Sequence, residues 1–198
     1  MIIYFSATGN CRHTAEALAQ KTEDEVKSIL DFMNGGEEAD FRGEKRLGLI
    51  SPTYSWRLPS IVRDFIQNTE IKVSENTYVY FVSTYGTTPG ASVHEMRELL
   101  KENNIEIDSV YSIRMPDTWT PIFDLSDAHK VEAINMSAES EIEAAAASIL
   151  AGDRRKHMKR QMPAFALSIA GRAYDQMRRT DNLYAESGCI SCGLCEKK

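Results

Sequence analysis

Apolar and polar positions follow two rhythms along this chain. Short apolar runs rich in β-branched and aromatic residues occur at "MIIYFS" (residues 1 to 6), "RLGLIS" ending at Ser51, "TYVYFVST" ending at Thr84 and "DSVYSIRM" ending at Met115. Runs of that length bounded by turn residues read as buried strands. Each of the first three leads into a stretch with helical spacing of its apolar residues: one reaching about Lys21 after the turn "ATGN", then "LPSIVRDFIQN", then "GASVHEMRELLKENN". The fourth precedes a long alanine-rich helix from about Ser126 to Leu150, which Gly152 is placed to close. "DEVKSI" offers a further strand. Strands alternating with helices imply an α/β fold, a parallel sheet covered on both faces. Beyond Gly152, "PAFALSIAGRAYDQMRRT" carries Phe165, Ile169, Ala173, Tyr174 and Met177 at helical spacing and is expected to be a connecting helix. No internal repeat or low-complexity linker interrupts the pattern.

Composition narrows this without changing it. With 198 residues, 42% hydrophobic and 26% charged, the chain has material for one main domain and a short appendage. We expect residues 1–152 to form that domain, 153–186 a helical connector and 187–198 something separate. The chain opens directly on a strand-like run without a basic leader, and no stretch approaches 18 uninterrupted apolar residues, so a soluble cytoplasmic protein without a membrane span is expected. Charge is uneven: residues 1–152 hold 13 Lys+Arg against 24 Asp+Glu, whereas residues 153–180 hold 8 against 2. The basic stretch "DRRKHMKRQ" is expected to face the acidic domain beside it or solvent rather than nucleic acid.

In an open parallel sheet, ligands bind beyond the carboxyl ends of the strands, where strand order reverses. The loops that follow strands therefore carry the candidate chemistry. The first, Ser6, Ala7, Thr8, Gly9, Asn10 and Cys11, combines small hydroxylated residues and glycine with a helix N-terminus. It suits a single phosphate held without lysine or metal, and lacks both the P-loop lysine and a G-x-G-x-x-G fingerprint. The second contains Pro52, Thr53, Tyr54, Ser55 and Trp56; the third contains Thr84, Tyr85, Gly86 and Gly90. Aromatics on two loops beside a phosphate loop describe a flavin mononucleotide (FMN) site. His13 and His94 fall on helices as ordinary helix positions, and no acid, base or nucleophile constellation stands out.

"FSATGNC" resembles the phosphate loop of flavodoxins, with Cys11 where that family usually has Thr, while "PTYSWRLP" and "STYGTTPG" resemble its two flavin-flanking loops. This covers residues 1 to about 150 and implies a flavodoxin-like doubly wound, five-stranded parallel sheet binding FMN. Cys11 is expected to be structural rather than reactive. More narrowly, "SPTYSWRLPSIVRDFI", "RMPDTW" and "TDNLYAESGCISCGLC" resemble fusions of a flavodoxin-like domain with a bacterial-type ferredoxin. That resemblance implies electron exchange between flavin and [4Fe-4S] clusters or another redox partner protein.

Cys189, Cys192 and Cys195 stand at C-x-x-C-x-x-C spacing, but the distant fourth ligand such a cluster needs would come from a second cysteine run. We therefore expect a fragment ending inside the ferredoxin part, unable to hold a stable cluster alone, with a zinc site using His157 as the rival. Two other functions stay open: a flavin-dependent reductase of a quinone or other small acceptor, and a non-redox phosphate-ligand module with a zinc-bound tail. Finally, residues 53–60 and 84–93 contain no carboxylate, and Arg57 follows Trp56. Arg57 is therefore expected near the ring, raising its reduction potential, with Asp64, Glu95 and Asp117 the nearest acids.

Overall fold

The structure, a computed structural model, describes residues 1–168, 181 and 184–193. Five parallel strands form one sheet: β1 (Ile2–Tyr4), β2 (Val26–Ser28), β3 (Arg46–Pro52), β4 (Tyr78–Tyr85) and β5 (Ser109–Arg114), in the order β2-β1-β3-β4-β5. Five helices connect or follow them: α1 (Asn10–Thr22), α2 (Ile29–Gly35), α3 (Ser60–Asn68), α4 (Ser92–Glu102) and α5 (Ala128–Leu150). Right-handed crossovers that run one way from β1 to β2 and the other way from β2 to β3, β3 to β4 and β4 to β5 must place helices on opposite faces. Two cores result. One gathers Leu47, Leu49, Phe65, Phe81 and Met96 under α2, α3 and α4. The other gathers Ile2, Leu18, Ile50, Tyr80 and Ile142 under α1 and α5.

The sequence expectation missed α2 and gave its residues no element. This helix has only seven residues, too few for a clear period, and is held by a capping box in which the Ser28 hydroxyl and the Asp31 carboxylate serve each other's backbone N–H groups. Gly152 takes φ +69° behind α5 and its N–H donates to Ile149 O at 3.0 Å, closing the helix as expected. The basic segment then turns back along β5, an edge strand. Val110 N–H donates to Arg155 O at 3.0 Å, Arg154 pairs with Asp108 at 2.5 Å, and Met158 is buried in the first core. So the segment lies against the acidic domain chiefly through its backbone, which also covers an open sheet edge. Most of the connecting helix expected over 165–177 lies outside the described residues. No helix among the described residues is long and apolar enough to cross a membrane.

Candidate functional site

A cavity of about 690 Å³ opens at the carboxyl ends of β1, β3, β4 and β5, over the point where strand order reverses. The β1–α1 loop contributes Ser6, Ala7, Thr8, Asn10 and Cys11 to its wall. Here the chain leaves a buried strand and enters a helix through Gly9 at φ +96°, a left-handed turn that any side chain would strain. No side chain caps α1, and the first intrahelical bond runs from His13 N–H to Gly9 O at 2.9 Å. The first-turn N–H groups are thus left for an outside acceptor, at the positive end of the helix. Ser6 Oγ accepts from Gly9 N–H at 3.1 Å and so shapes the loop. Cys11 is 1% exposed and its Sγ lies 3.0 Å from Thr84 Oγ1. Burial pushes its thiol pKa up to about 12, against the weaker pull of the Thr84 hydrogen bond. The thiol is a core group tying α1 to β4.

The β3–α3 loop carries Pro52, Thr53, Tyr54, Ser55 and Trp56 on the wall. Tyr54 and Arg57 exchange backbone hydrogen bonds of 2.9 and 3.0 Å around Ser55 (φ +47°) and Trp56 (φ +68°). Two successive left-handed residues make the tight hairpin turn that normally uses Asn-Gly; with Ser-Trp it costs on the order of 1–3 kcal/mol per residue. Contacts from the next loop hold it: Ala91 N–H donates to Trp56 O at 3.0 Å, and Gly90 packs so closely that a Cβ there would lie 2.4 Å from Trp56 Cα. The strain buys an indole that stands at the cavity, 41% exposed, beside Tyr54.

Arg57 does not reach the site in the way the sequence suggested. Its guanidinium turns inward to Glu95 of α4, with Nε donating at 3.1 Å and a second bond from Nη2 to the same oxygen, while Glu95 Oε2 accepts from Leu58 N–H at 2.8 Å. Glu95 is 5% exposed, with Arg63 Nη1 also 3.8 Å from it, so Arg57 is engaged by a buried carboxylate and its side chain does not line the cavity wall.

From β4 come Thr84, Tyr85 and Gly86, followed by Thr87 and Thr88. Tyr85 is buried, and burial raises its phenol pKa above the usual value. Gly9 and Gly90, both named from sequence as contacts, do not line the wall. They shape the backbone behind it.

A fourth loop, of which the sequence reading named only Asp117 as a nearby acid, was not counted among the contacts. Pro116, Asp117, Thr118, Trp119 and Phe123 complete the wall. Thr8 and Thr118 hydroxyls meet at 3.0 Å and Asn10 Nδ2 donates to Pro116 O at 3.0 Å, joining this loop to the first. Asp117 sits against Gly86, where a Cβ would come within 2.3 Å of its Oδ2, and accepts from Trp119 N–H at 3.2 Å. Its position after a strand end was the available signal, the same rule that selected the other three loops. Among the described residues Asp117 is the one carboxylate on the wall, and no cationic side chain lines it.

The tail is less informative. Cys189 and Cys192 are exposed free thiols, Cys195 lies outside the described residues, and His157 is exposed. No group of three metal-ligating side chains gathers among the described residues.

This cavity can hold a planar ring beside Tyr54, Trp56 and Trp119 with an anionic end against neutral donors and an uncapped helix. The model of the family described as "Flavodoxin domain" matches residues 1–144. The chain belongs to the flavodoxin domain family. Similar solved structures include a flavodoxin from the domain Archaea, 15% identical over 72% of this chain and 96% of that one, at a TM-score of 0.44. Two-electron reduced Megasphaera elsdenii flavodoxin is 16% identical over 70% and 97%, at 0.44. A flavoprotein in complex with FMN from Lactobacillus acidophilus is 17% identical over 66% and 96%, at 0.41. No curated protein matches the chain. In this flavodoxin domain the matched region contains all four loops of the cavity and ends within α5, so the basic segment and the cysteine tail lie beyond it.

Proposed function

We propose that the protein binds FMN in the cavity and passes electrons between it and ferredoxin-type iron-sulfur clusters or another redox partner protein. The observation that carries the reading is the pairing of an uncapped helix N-terminus with a cavity flanked by partly exposed Tyr54, Trp56 and Trp119. Ser6, Thr8 and Asn10, with the first-turn N–H groups of α1, would hold the phosphate; the two tryptophan loops would flank the ring and limit water. When bound, FMN supplies one- and two-electron chemistry, and the protein's part is orientation, water exclusion and electrostatics. Cys189, Cys192 and Cys195 would begin the neighbouring cluster domain, completed by ligands from elsewhere.

The test compares Gly9→Ala with Gly9→Asp, titrated with FMN and with riboflavin. Both variants strain the same backbone position; only the second adds a negative charge to the loop at the N-terminus of α1, where it opposes a bound phosphate. A loss of about 3 kcal/mol, or roughly a hundredfold, is expected for FMN in Gly9→Asp relative to Gly9→Ala. Riboflavin should not distinguish the two. Equal FMN affinities would remove the phosphate from this loop.

A further inference from the structure

Ten residues after the last helix bear on the cavity from outside the matched domain. Segment 153–162 follows α5, and among its side chains Met158 is the buried one, 6% exposed within the core that α2, α3 and α4 cover. Arg154 pairs with Asp108 and Gln161 Nε2 lies 3.0 Å from His94 Nε2, and backbone groups make further attachments. Arg155 O accepts from Val110 N–H at 3.0 Å, Arg160 O accepts from Thr88 Oγ1 at 2.8 Å, and Met162 N–H donates to Gly90 O at 2.7 Å. The last two fall on the β4–α4 loop. Thr88 is on the cavity wall, and Gly90, at φ +59°, is the glycine against which Trp56 Cα rests. Arg160 adopts φ +57°, a left-handed conformation that a non-glycine residue enters only when its surroundings hold it there. Here the surroundings are the bonds to Thr88 and Gly90 on either side of that bend.

We propose that segment 153–162 is a positioning element of the cofactor site. Anchored by Met158, it fixes the 86–90 loop at the height at which Thr88 faces the cavity and Gly90 backs the strained Trp56 turn. The proposal rests on the FMN reading above. It carries a reciprocal consequence: if order in this strap favours FMN binding, FMN must favour order in the strap by the same factor. The strap is suited to such a measurement because Lys156 and Lys159 are exposed trypsin sites within it, while Lys101, at the far end of α4, is an exposed site away from it.

The experiment digests the full chain briefly with trypsin, with and without saturating FMN, and quantifies cleavage after Lys156, Lys159 and Lys101 by mass spectrometry. Global stabilisation by a ligand slows every cleavage that requires unfolding; a positioning strap shows additional protection at its own sites. We expect FMN to slow cleavage after Lys156 and Lys159 by about tenfold relative to Lys101, within the range typical of coupled sites. Met158→Ala should weaken FMN binding by a similar factor, and Met158→Leu, which refills the core, should restore it. A wild-type protein that binds FMN with the strap-to-Lys101 cleavage ratio unchanged overturns the proposal. This arm requires no variant and stands even if Met158→Ala fails to fold. A wild-type protein that does not quench FMN fluorescence overturns the FMN reading itself, and this inference with it.

Discussion

Removing the charge of Glu95 tests the most heavily buried ionic contact behind the site. Its carboxylate is 5% exposed and accepts two bonds from Arg57 and one from Leu58 N–H at 2.8 Å, with Arg63 Nη1 3.8 Å away. In Glu95→Gln the amide keeps the shape, but its NH2 group must point at either the Leu58 N–H or the Arg57 guanidinium, donor against donor. Arg57 stays charged without its partner. Breaking a buried pair from one side costs about 3–5 kcal/mol. The Arg57 side chain keeps 23% of its exposure, so water recovers part of that and about 3 kcal/mol is expected. Replacing both partners, Arg57→Gln with Glu95→Gln, should cost at least about 1 kcal/mol less than the sum of the single changes, since paired sites are not additive. The assay is equilibrium urea unfolding of the four apo proteins. Additive effects, or a single Glu95→Gln cost below about 1 kcal/mol, would refute the pairing as the anchor of the Tyr54–Arg57 turn. Arg57→Glu sets a second carboxylate against buried Glu95 and should show first as lost stability.

Three further outcomes follow from the site. Asp117 is the carboxylate on the cavity wall, and at a separation on the order of 10 Å with an effective dielectric near 20 its charge is worth about 1.7 kcal/mol. Asp117→Asn should therefore raise the potential for the second electron on bound FMN by about 70 mV in spectroelectrochemical titration; an unchanged potential places the ring away from this loop. Gly86→Ala would drive a Cβ into Asp117, at 2.5 Å from its Cβ as well as 2.3 Å from Oδ2, so relaxation of a side-chain tip cannot relieve it. FMN affinity should fall at least about tenfold by fluorescence quenching, through displacement of the 116–119 loop. Cys11, buried with its pKa pushed up to about 12, should resist a thiol reagent at pH 8 that modifies exposed Cys189 and Cys192, as peptide mapping would show. The raised pKa fixes the sign of its linkage: the unfolded thiol ionises first, so its contribution to stability is whole below about pH 8.5 and is lost as pH climbs toward 12. Modification of Cys11 in the native protein at the rate of Cys189 would show that the α1–β4 contact opens readily.

Side-chain pattern and backbone contact differ in how far they can be read from sequence, and particular residues show where the division falls. The four long apolar runs became β1, β3, β4 and β5 because strands buried on both faces need unbroken apolar residues, which a one-dimensional pattern records. The three loops named from sequence line the cavity because the rule placing ligands at strand carboxyl ends needs only strand boundaries. The same rule applied to Met115 would have found Trp119. Arg57 was misplaced for a different reason: its neighbour in sequence is Trp56, but its partner is Glu95, 38 residues away, and no local period encodes that choice. Glu95 was named from sequence only as an acid near the ring, not as the partner of Arg57. The strap is the extreme case. Its side chains are almost all polar and exposed, so its pattern is that of a solvated segment, while much of its attachment runs through the carbonyls of Arg155 and Arg160 and the N–H of Met162. Backbone groups are the same at every position, and sequence carries no mark of which of them is used. Met158, an apolar residue among cations, is the trace in the sequence of that attachment, and its burial in the first core is why the segment can be treated as part of the site rather than as a linker.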